Sequence, residues 1–136
     1  MIYIVDTGPL VAAFRPAGDN DPYSAWAARI IRTLPYPLFT CDAVVTEAAH
    51  FLGSAAKLLE AIDRGLLVSR LDTQSAVPRL RQLVTKYADQ PMDFADACLV
   101  FMSEQTRDCK IVTVDKADFT VYRRYGREPI PLLLPA

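Results

Sequence analysis

Residues 2–9 read IYIVDTGP, a run of β-branched and aromatic residues that stops abruptly at an aspartate. A short apolar run of this kind is typical of a strand that is buried on both faces, as in a parallel sheet. Proline is favoured in the first turn of a helix, and either Asp6 or Thr7 can cap the helix in which Pro9 lies. The segment therefore predicts a buried strand, a tight turn and a helix that carries Leu10 and Phe14.

Residues 111–115, IVTVD, have the same form and also end on an aspartate, Asp115. Between the two runs, the apolar spacing predicts helices over 23–34, 42–52, 58–62, 74–87 and 94–102, and short strands over 38–41 and 66–68. Asp42 is expected to cap the second of these helices. Pro16 and Gly18 should end the first helix, and a loop with Asp19 should follow it. The apolar tail after Pro129 can form only an edge strand. This alternation predicts one domain over 1–136, an α/β sandwich with helices around a central, mostly parallel sheet.

The composition agrees with a single folded domain. The chain has 136 residues, of which 51% are hydrophobic and 23% are charged, and its formal net charge is -1. The weak charge argues mildly against a nucleic-acid partner, unless the acids are concentrated in one pocket. Cys41, Cys98 and Cys109 show no metal-binding spacing, so reduced, buried thiols are expected and a zinc site is not. Without a leader-like segment or an apolar run of about 20 residues, the sequence predicts a soluble cytoplasmic protein and no membrane contact.

Four acids are candidates for chemistry. Asp6 and Asp115 end two predicted core strands, and the carboxyl edge of a parallel sheet is where ligands bind. Glu47 and Asp96 each lie inside an apolar helical segment with no lysine or arginine nearby. A carboxylate in such surroundings costs several kcal/mol unless it is paired, protonated or bound to a metal. For Asp6 or Asp115 alone, a helix cap or turn residue is the plainer explanation. For Glu47 and Asp96, the small residues beside each acid favour a functional role over a basic partner or a solvent-facing position.

Taken together, the four carboxylates predict a site for a hard cation, Mg²⁺ or Mn²⁺. Such a site supports the attack of water on a phosphodiester without a protein nucleophile. The competing enzyme class is a phosphohydrolase that uses Asp6 as a nucleophile. Phosphatases of the haloacid-dehalogenase type carry a second acid two positions later, where this chain has Gly8.

Four segments resemble the motifs of the PIN-domain ribonucleases, especially the VapC-type toxins of bacterial toxin–antitoxin pairs. They are IYIVDTGPLVAAF at the amino terminus and, further along, TEAAHFL, MDFADACLV and IVTVDKADF. The resemblance covers nearly the whole chain and implies a three-layer α/β/α sandwich that cleaves RNA. It also implies the metal ligands and catalytic residues Asp6, Glu47, Asp96 and Asp115, with Thr7 and Thr113 as supporting hydroxyls.

The resemblance carries further expectations about neighbouring residues and partners. Asp93 and Asp118 could share the metal site, although a helix cap and a turn residue are the simpler interpretations. The basic residues Lys116, Arg123 and Arg124 are candidates for RNA contact, or else form a solvated surface. The family also implies a homodimer and, for toxins, an antitoxin protein that covers the acidic groove. A non-enzymatic PIN-like domain that binds RNA or protein is the remaining alternative.

Overall fold

The strands follow the predicted order along the chain. The structure is a computed structural model that describes residues 1–16 and 20–136, so the predicted loop residues Gly18 and Asp19 lie outside the described residues. The strands are β1 (Ile2–Val5), β2 (Leu38–Thr40), β3 (Leu67–Ser69), β4 (Cys109–Val112), β5 (Arg123–Arg124), β6 (Glu128–Pro129) and β7 (Leu132–Leu133).

The helices surround these strands and contain about half of the described residues. They are α1 (Thr7–Phe14), α2 (Ser24–Thr33), α3 (Asp42–Leu52), α4 (Ala56–Asp63), α5 (Thr73–Lys86), α6 (Phe94–Gln105) and α7 (Lys116–Phe119). Within residues 1–16 and 20–136, none of the helices has the length and apolar character needed to cross a bilayer.

In the described part of the chain, five strands form one sheet in the order β3–β2–β1–β4–β7. Every neighbouring pair in this sheet is parallel. Strand β1 is central, and its residues Ile4 and Val5 are fully buried, which explains its continuous apolar run,. The prediction of an α/β sandwich with a central parallel sheet is confirmed. The predicted edge strand in the tail is also confirmed, because β7 pairs only with β4 among the described strands.

Two boundaries differ from the sequence prediction. The apolar run at residues 111–115 is a strand only in part: β4 runs from Cys109 to Val112, so Thr113 and Val114 lie beyond it. The Thr113 N–H still donates to the Leu133 carbonyl of β7 at 3.2 Å, and the Thr113 hydroxyl accepts the Asp115 N–H at 3.0 Å, a turn-like contact just after the strand,. Asp42 is the first residue of α3 rather than its cap, which is Cys41.

Helix α7 and the antiparallel pair β5–β6 were not predicted from the sequence. Elements of four and two residues are too short to show a helical or strand periodicity,. The pair β5–β6 nevertheless packs against the end of α6, and Arg124 of β5 donates a hydrogen bond to that end of the helix. All three cysteines are buried and free of disulfides, as expected.

Candidate active site

The four predicted acids meet at the carboxyl edge of the sheet. Asp6 directly follows β1, Asp115 follows β4, and Glu47 lies on α3, which follows β2. Helix α6 has to return the chain to the start of β4, so its first turn, with Asp96, begins at the same edge. All four side chains line one pocket of about 360 Å³, whose further lining includes Asp21, Asp93 and Asp118. No lysine or arginine is among the described residues that line it.

Asp6 is held by two short hydrogen bonds. The Thr7 N–H donates to its Oδ1 at 2.7 Å, and the Thr113 hydroxyl donates to its Oδ2 at 2.7 Å. The register of the sheet explains the second bond, because Val5 lies beside Val112 and the next residues on each strand are neighbours. Burial raises the pKa of Asp6 to about 6 in spite of both bonds, with smaller contributions from the charges of Glu47 and Asp115,.

Asp96 accepts a hydrogen bond from a buried phenol. The Tyr122 hydroxyl donates to Asp96 Oδ2 at 2.9 Å. Burial raises the pKa of Asp96 to about 7, and the nearby charge of Asp93 adds to this effect. Burial and the Asp96 charge also raise the pKa of Tyr122, so the phenol stays protonated and remains a donor,.

Asp93 and Asp118 both belong to the pocket and both have local structural contacts. Asp93 is the N-cap of α6, where its Oδ1 accepts the Asp96 N–H at 2.8 Å, as the simpler interpretation predicted. Asp115 caps α7 in the same way, with its Oδ1 accepting the Asp118 N–H at 3.0 Å. Burial and the Asp115 charge raise the pKa of Asp118, while burial and the Asp93 charge raise the pKa of Glu47. The pocket is therefore a concentration of like charges.

The first turn of α1 packs tightly against the segment that follows β4. A Cβ atom on Gly8 would lie 2.6 Å from Val114 Cγ2, so only glycine permits this approach without a shift of that side chain,. The approach brings Asp6 and Asp115 to the same pocket. The Thr7 hydroxyl is buried beside them, near enough to Glu47 to lower its pKa, yet it makes no hydrogen bond of normal geometry to any described residue.

The sequence model of the PIN domain matches residues 3–125, a span that contains every acid of the pocket. The chain belongs to the PIN domain family. PIN domains are typically nucleases and usually use divalent metal ions. No curated protein matches this chain.

The chemistry of this PIN domain's pocket fits a hard divalent cation. Among the described residues, no three His, Cys, Asp or Glu side chains are arranged so that they could hold a metal ion by themselves. Mg²⁺, however, is usually bound through one or two carboxylates, together with water and substrate phosphate oxygens. Asp6, Glu47, Asp96 and Asp115, which have no lysine or arginine among the described residues of the pocket lining, are suitable ligands for such an ion and its water shell. The buried Thr7 hydroxyl, which makes no hydrogen bond of normal geometry to a described residue, could also contact that water shell.

The three basic residues that were predicted to contact RNA lie in different environments. Lys116 is exposed at the start of α7, directly after Asp115, and its contact with RNA stays a prediction. Arg123 is half-buried and its Nη1 donates to the carbonyls of Thr120, Val121 and Tyr122. Arg124 is only 5% exposed and is bonded inside the protein. Its burial is a correction to the predicted RNA contact, because a guanidinium enclosed by its own chain cannot reach a phosphate.

Sequence reasoning missed several residues of the site. The pocket is also lined by Asp21, Tyr23 and Phe51, and Tyr122 donates a hydrogen bond to Asp96 without lining the pocket itself. Phe51 lies one helical turn after Glu47 and is 57% exposed, which an apolar helical pattern would not indicate. Nothing in the local sequence around Asp21 distinguishes it from an ordinary loop acid.

The metal-free protein is expected to lose stability as the pH rises from about 5 to 8. The pKa values of Asp6 and Asp96, about 6 and about 7, lie above the ordinary 3.8, so folding favours their protonated forms. Their contribution is complete below about pH 4 and is lost as the pH rises through the raised values. For the buried Asp6, two pKa units correspond to about 3 kcal/mol.

Thermal unfolding in EDTA at several pH values measures this effect. The melting temperature should be lower at pH 8 than at pH 5.5, and the difference should shrink in the double variant Asp6→Asn, Asp96→Asn. A melting temperature that is constant or rises over this pH interval would show that folding does not favour the protonated forms of Asp6 and Asp96.

Proposed function

We propose that this PIN domain is a Mg²⁺- or Mn²⁺-dependent endoribonuclease that hydrolyses RNA phosphodiesters with an activated water. The observation that carries the proposal is the convergence of Asp6, Glu47, Asp96 and Asp115 in one pocket without a basic partner. Buried carboxyls with raised pKa values are unfavourable in a purely structural role, and a bound cation would remove that cost,.

The residues of the pocket have separate tasks in this proposal. One or two of the acids Asp6, Glu47, Asp96 and Asp115 would bind the cation directly and the others through its water shell, and Asp93 and Asp118 add negative charge around it,. When bound, the cation supplies Lewis-acid stabilisation of charge on the phosphate and lowers the pKa of the attacking water. Thr113 keeps Asp6 in place through its hydroxyl, and the Asp115 N–H holds Thr113 in turn. Lys116 would meet the RNA backbone beside the pocket.

Cleavage of RNA that requires a divalent cation is the expected result. Purified protein is incubated with a pool of structured and single-stranded RNAs in Mg²⁺, in Mn²⁺ and in EDTA, and with a single-stranded DNA of matched sequence. Discrete RNA fragments should form with either metal and be absent in EDTA. Cleavage of DNA at the same rate would contradict the RNA assignment, and cleavage in EDTA would contradict the metal dependence.

Two other functions are less well supported by the same residues. A phosphohydrolase would need Asp6 as a free nucleophile, but both of its oxygens accept hydrogen bonds and the residue is only 9% exposed. A non-catalytic binding domain would have no need to bury Asp6 and Asp96 beside further acids with no lysine or arginine among the described residues of the pocket lining. Folded protein that binds Mn²⁺ and RNA but cuts no RNA in the pool would favour the binding role.

The assignment as the toxin of a toxin–antitoxin pair, with a homodimer and an antitoxin, stays a prediction. Two exposed aromatic residues support a protein partner near the pocket: Phe51 and Phe94 are 57% and 51% exposed. Both line an apolar groove that adjoins the acidic pocket at Glu47. Light scattering on the purified chain determines whether it forms the predicted homodimer.

A further inference from the structure

Tyr122 is a fully buried tyrosine whose only polar atom points at the active-site pocket. Its side chain has no exposed surface, and its hydroxyl donates to Asp96 Oδ2 at 2.9 Å. Asp96 itself is half-buried and lines the pocket. A buried hydroxyl without a hydrogen-bond partner lowers the stability of the fold. The contact therefore stabilises Tyr122 as well as Asp96.

The phenol ring is held on two sides by other aromatic rings. It packs edge-on against Tyr87 with centroids 5.1 Å apart, and against Phe119 with centroids 5.2 Å apart. The Tyr87 hydroxyl accepts the N–H of Arg123 at 2.8 Å, which fixes the backbone next to Tyr122. Helix α7 contributes Phe119, and the turn after α5 contributes Tyr87, so parts of the chain that are distant in sequence place one oxygen atom.

We propose that Tyr122 is a positioning residue for Asp96 in metal binding. Its hydroxyl holds Oδ2, so the carboxylate keeps one orientation, and Oδ1 is left for a cation in the pocket. The Asp93 carboxylate supports the same turn from the other side through the Asp96 N–H. Partners that orient a metal-binding carboxylate in this way typically change metal affinity about 10- to 100-fold when removed. The inference rests on the proposed metal-dependent function but does not require that RNA be the substrate.

Tyr122→Phe keeps the ring and removes only the hydroxyl. Calorimetric titration of the full chain with Mn²⁺ alone is expected to show binding about 10-fold weaker than in the wild type. Tyr36→Phe is the matched control, because it removes a phenol hydroxyl that donates to the Ile31 carbonyl at 2.8 Å and does not line the acidic pocket. The control should keep Mn²⁺ affinity within about 2-fold even where it lowers the melting temperature. Equal Mn²⁺ affinity in wild type and Tyr122→Phe, or equal losses in both variants, would overturn the proposal.

A stability cycle in metal-free protein tests the contact itself. Tyr122→Phe should lower the melting temperature of the wild type, because Asp96 Oδ2 loses its donor. In an Asp96→Ala background the same substitution should be neutral or stabilising, because the hydroxyl then has no acceptor. Equal shifts in the two backgrounds would show that the pair is not coupled. Wild-type protein that binds Mn²⁺ but cuts no RNA would refute the proposed nuclease activity and leave the role of Tyr122 supported by the titration.

Discussion

Replacing Asp96 with asparagine is expected to slow metal-dependent RNA cleavage by at least about 10³-fold, which equals about 4 kcal/mol of transition-state stabilisation. Asparagine has the size of aspartate, and its amide oxygen can still accept the hydrogen bond from Tyr122,. The substitution removes the negative charge that a hard divalent cation requires. Initial cleavage rates of both proteins at the same Mn²⁺ concentration measure the effect.

The stability of the Asp96→Asn variant separates lost chemistry from lost structure. Because burial and nearby charges raise the pKa of Asp96 to about 7, its ionised form opposes folding at pH 8,. The metal-free variant should therefore melt at the same temperature as the wild type or higher. Asp89→Asn is the matched control, since it neutralises an exposed carboxylate in the turn before α6 and should leave cleavage unchanged. Undiminished cleavage by Asp96→Asn would mean that its assignment as a ligand is wrong or that a contaminating nuclease is present.

Replacing Arg124 with methionine is expected to destabilise the fold by about 3 kcal/mol. The guanidinium Nε donates to Glu128 Oε2 at 2.9 Å. Its Nη1 donates to the carbonyl oxygens of Ser103 and Arg107 at 3.1 and 2.9 Å. These bonds join the end of α6, the turn before β4 and the β5–β6 pair. Methionine fills much of the volume but leaves both carbonyl oxygens without this donor.

Urea unfolding measures the difference, and about 3 kcal/mol corresponds to roughly 10 °C in melting temperature for a chain of this size. Arg127→Met is the matched control, because Arg127 is exposed in the turn between β5 and β6 and should change stability by less than about 0.5 kcal/mol,. If Arg124→Met unfolded like the wild type but bound RNA more weakly, the internal network would be refuted and the RNA contact restored.

Lys116→Ala should weaken RNA binding without a comparable loss of stability.

The acids could be identified from the sequence because their signals are local. Asp6 and Asp115 each follow an apolar run, and Glu47 and Asp96 each interrupt an apolar helical segment. Once the strands are parallel and alternate with helices, these positions have to share one edge of the sheet.

The basic cluster at the carboxyl end shows where local reasoning fails. Arg123 and Arg124 look like a solvent-facing pair beside two tyrosines, yet one caps a turn and the other is buried. The difference arises from the short β5–β6 pair, which turns Arg124 towards the end of α6. Strands of two residues leave no periodicity that could predict this orientation.

The sequence by itself determined the parallel α/β architecture and the four acids, because strand burial and the interruption of apolar segments depend on neighbouring residues. Only the tertiary structure decided how those acids are held. The hydroxyl of Thr113 meets Asp6 across 107 positions of the chain, and that of Tyr122 meets Asp96 across 26. Contacts over such separations form only when strands pair in register and helices pack around them, so the electrostatics of the pocket is a property of the folded chain.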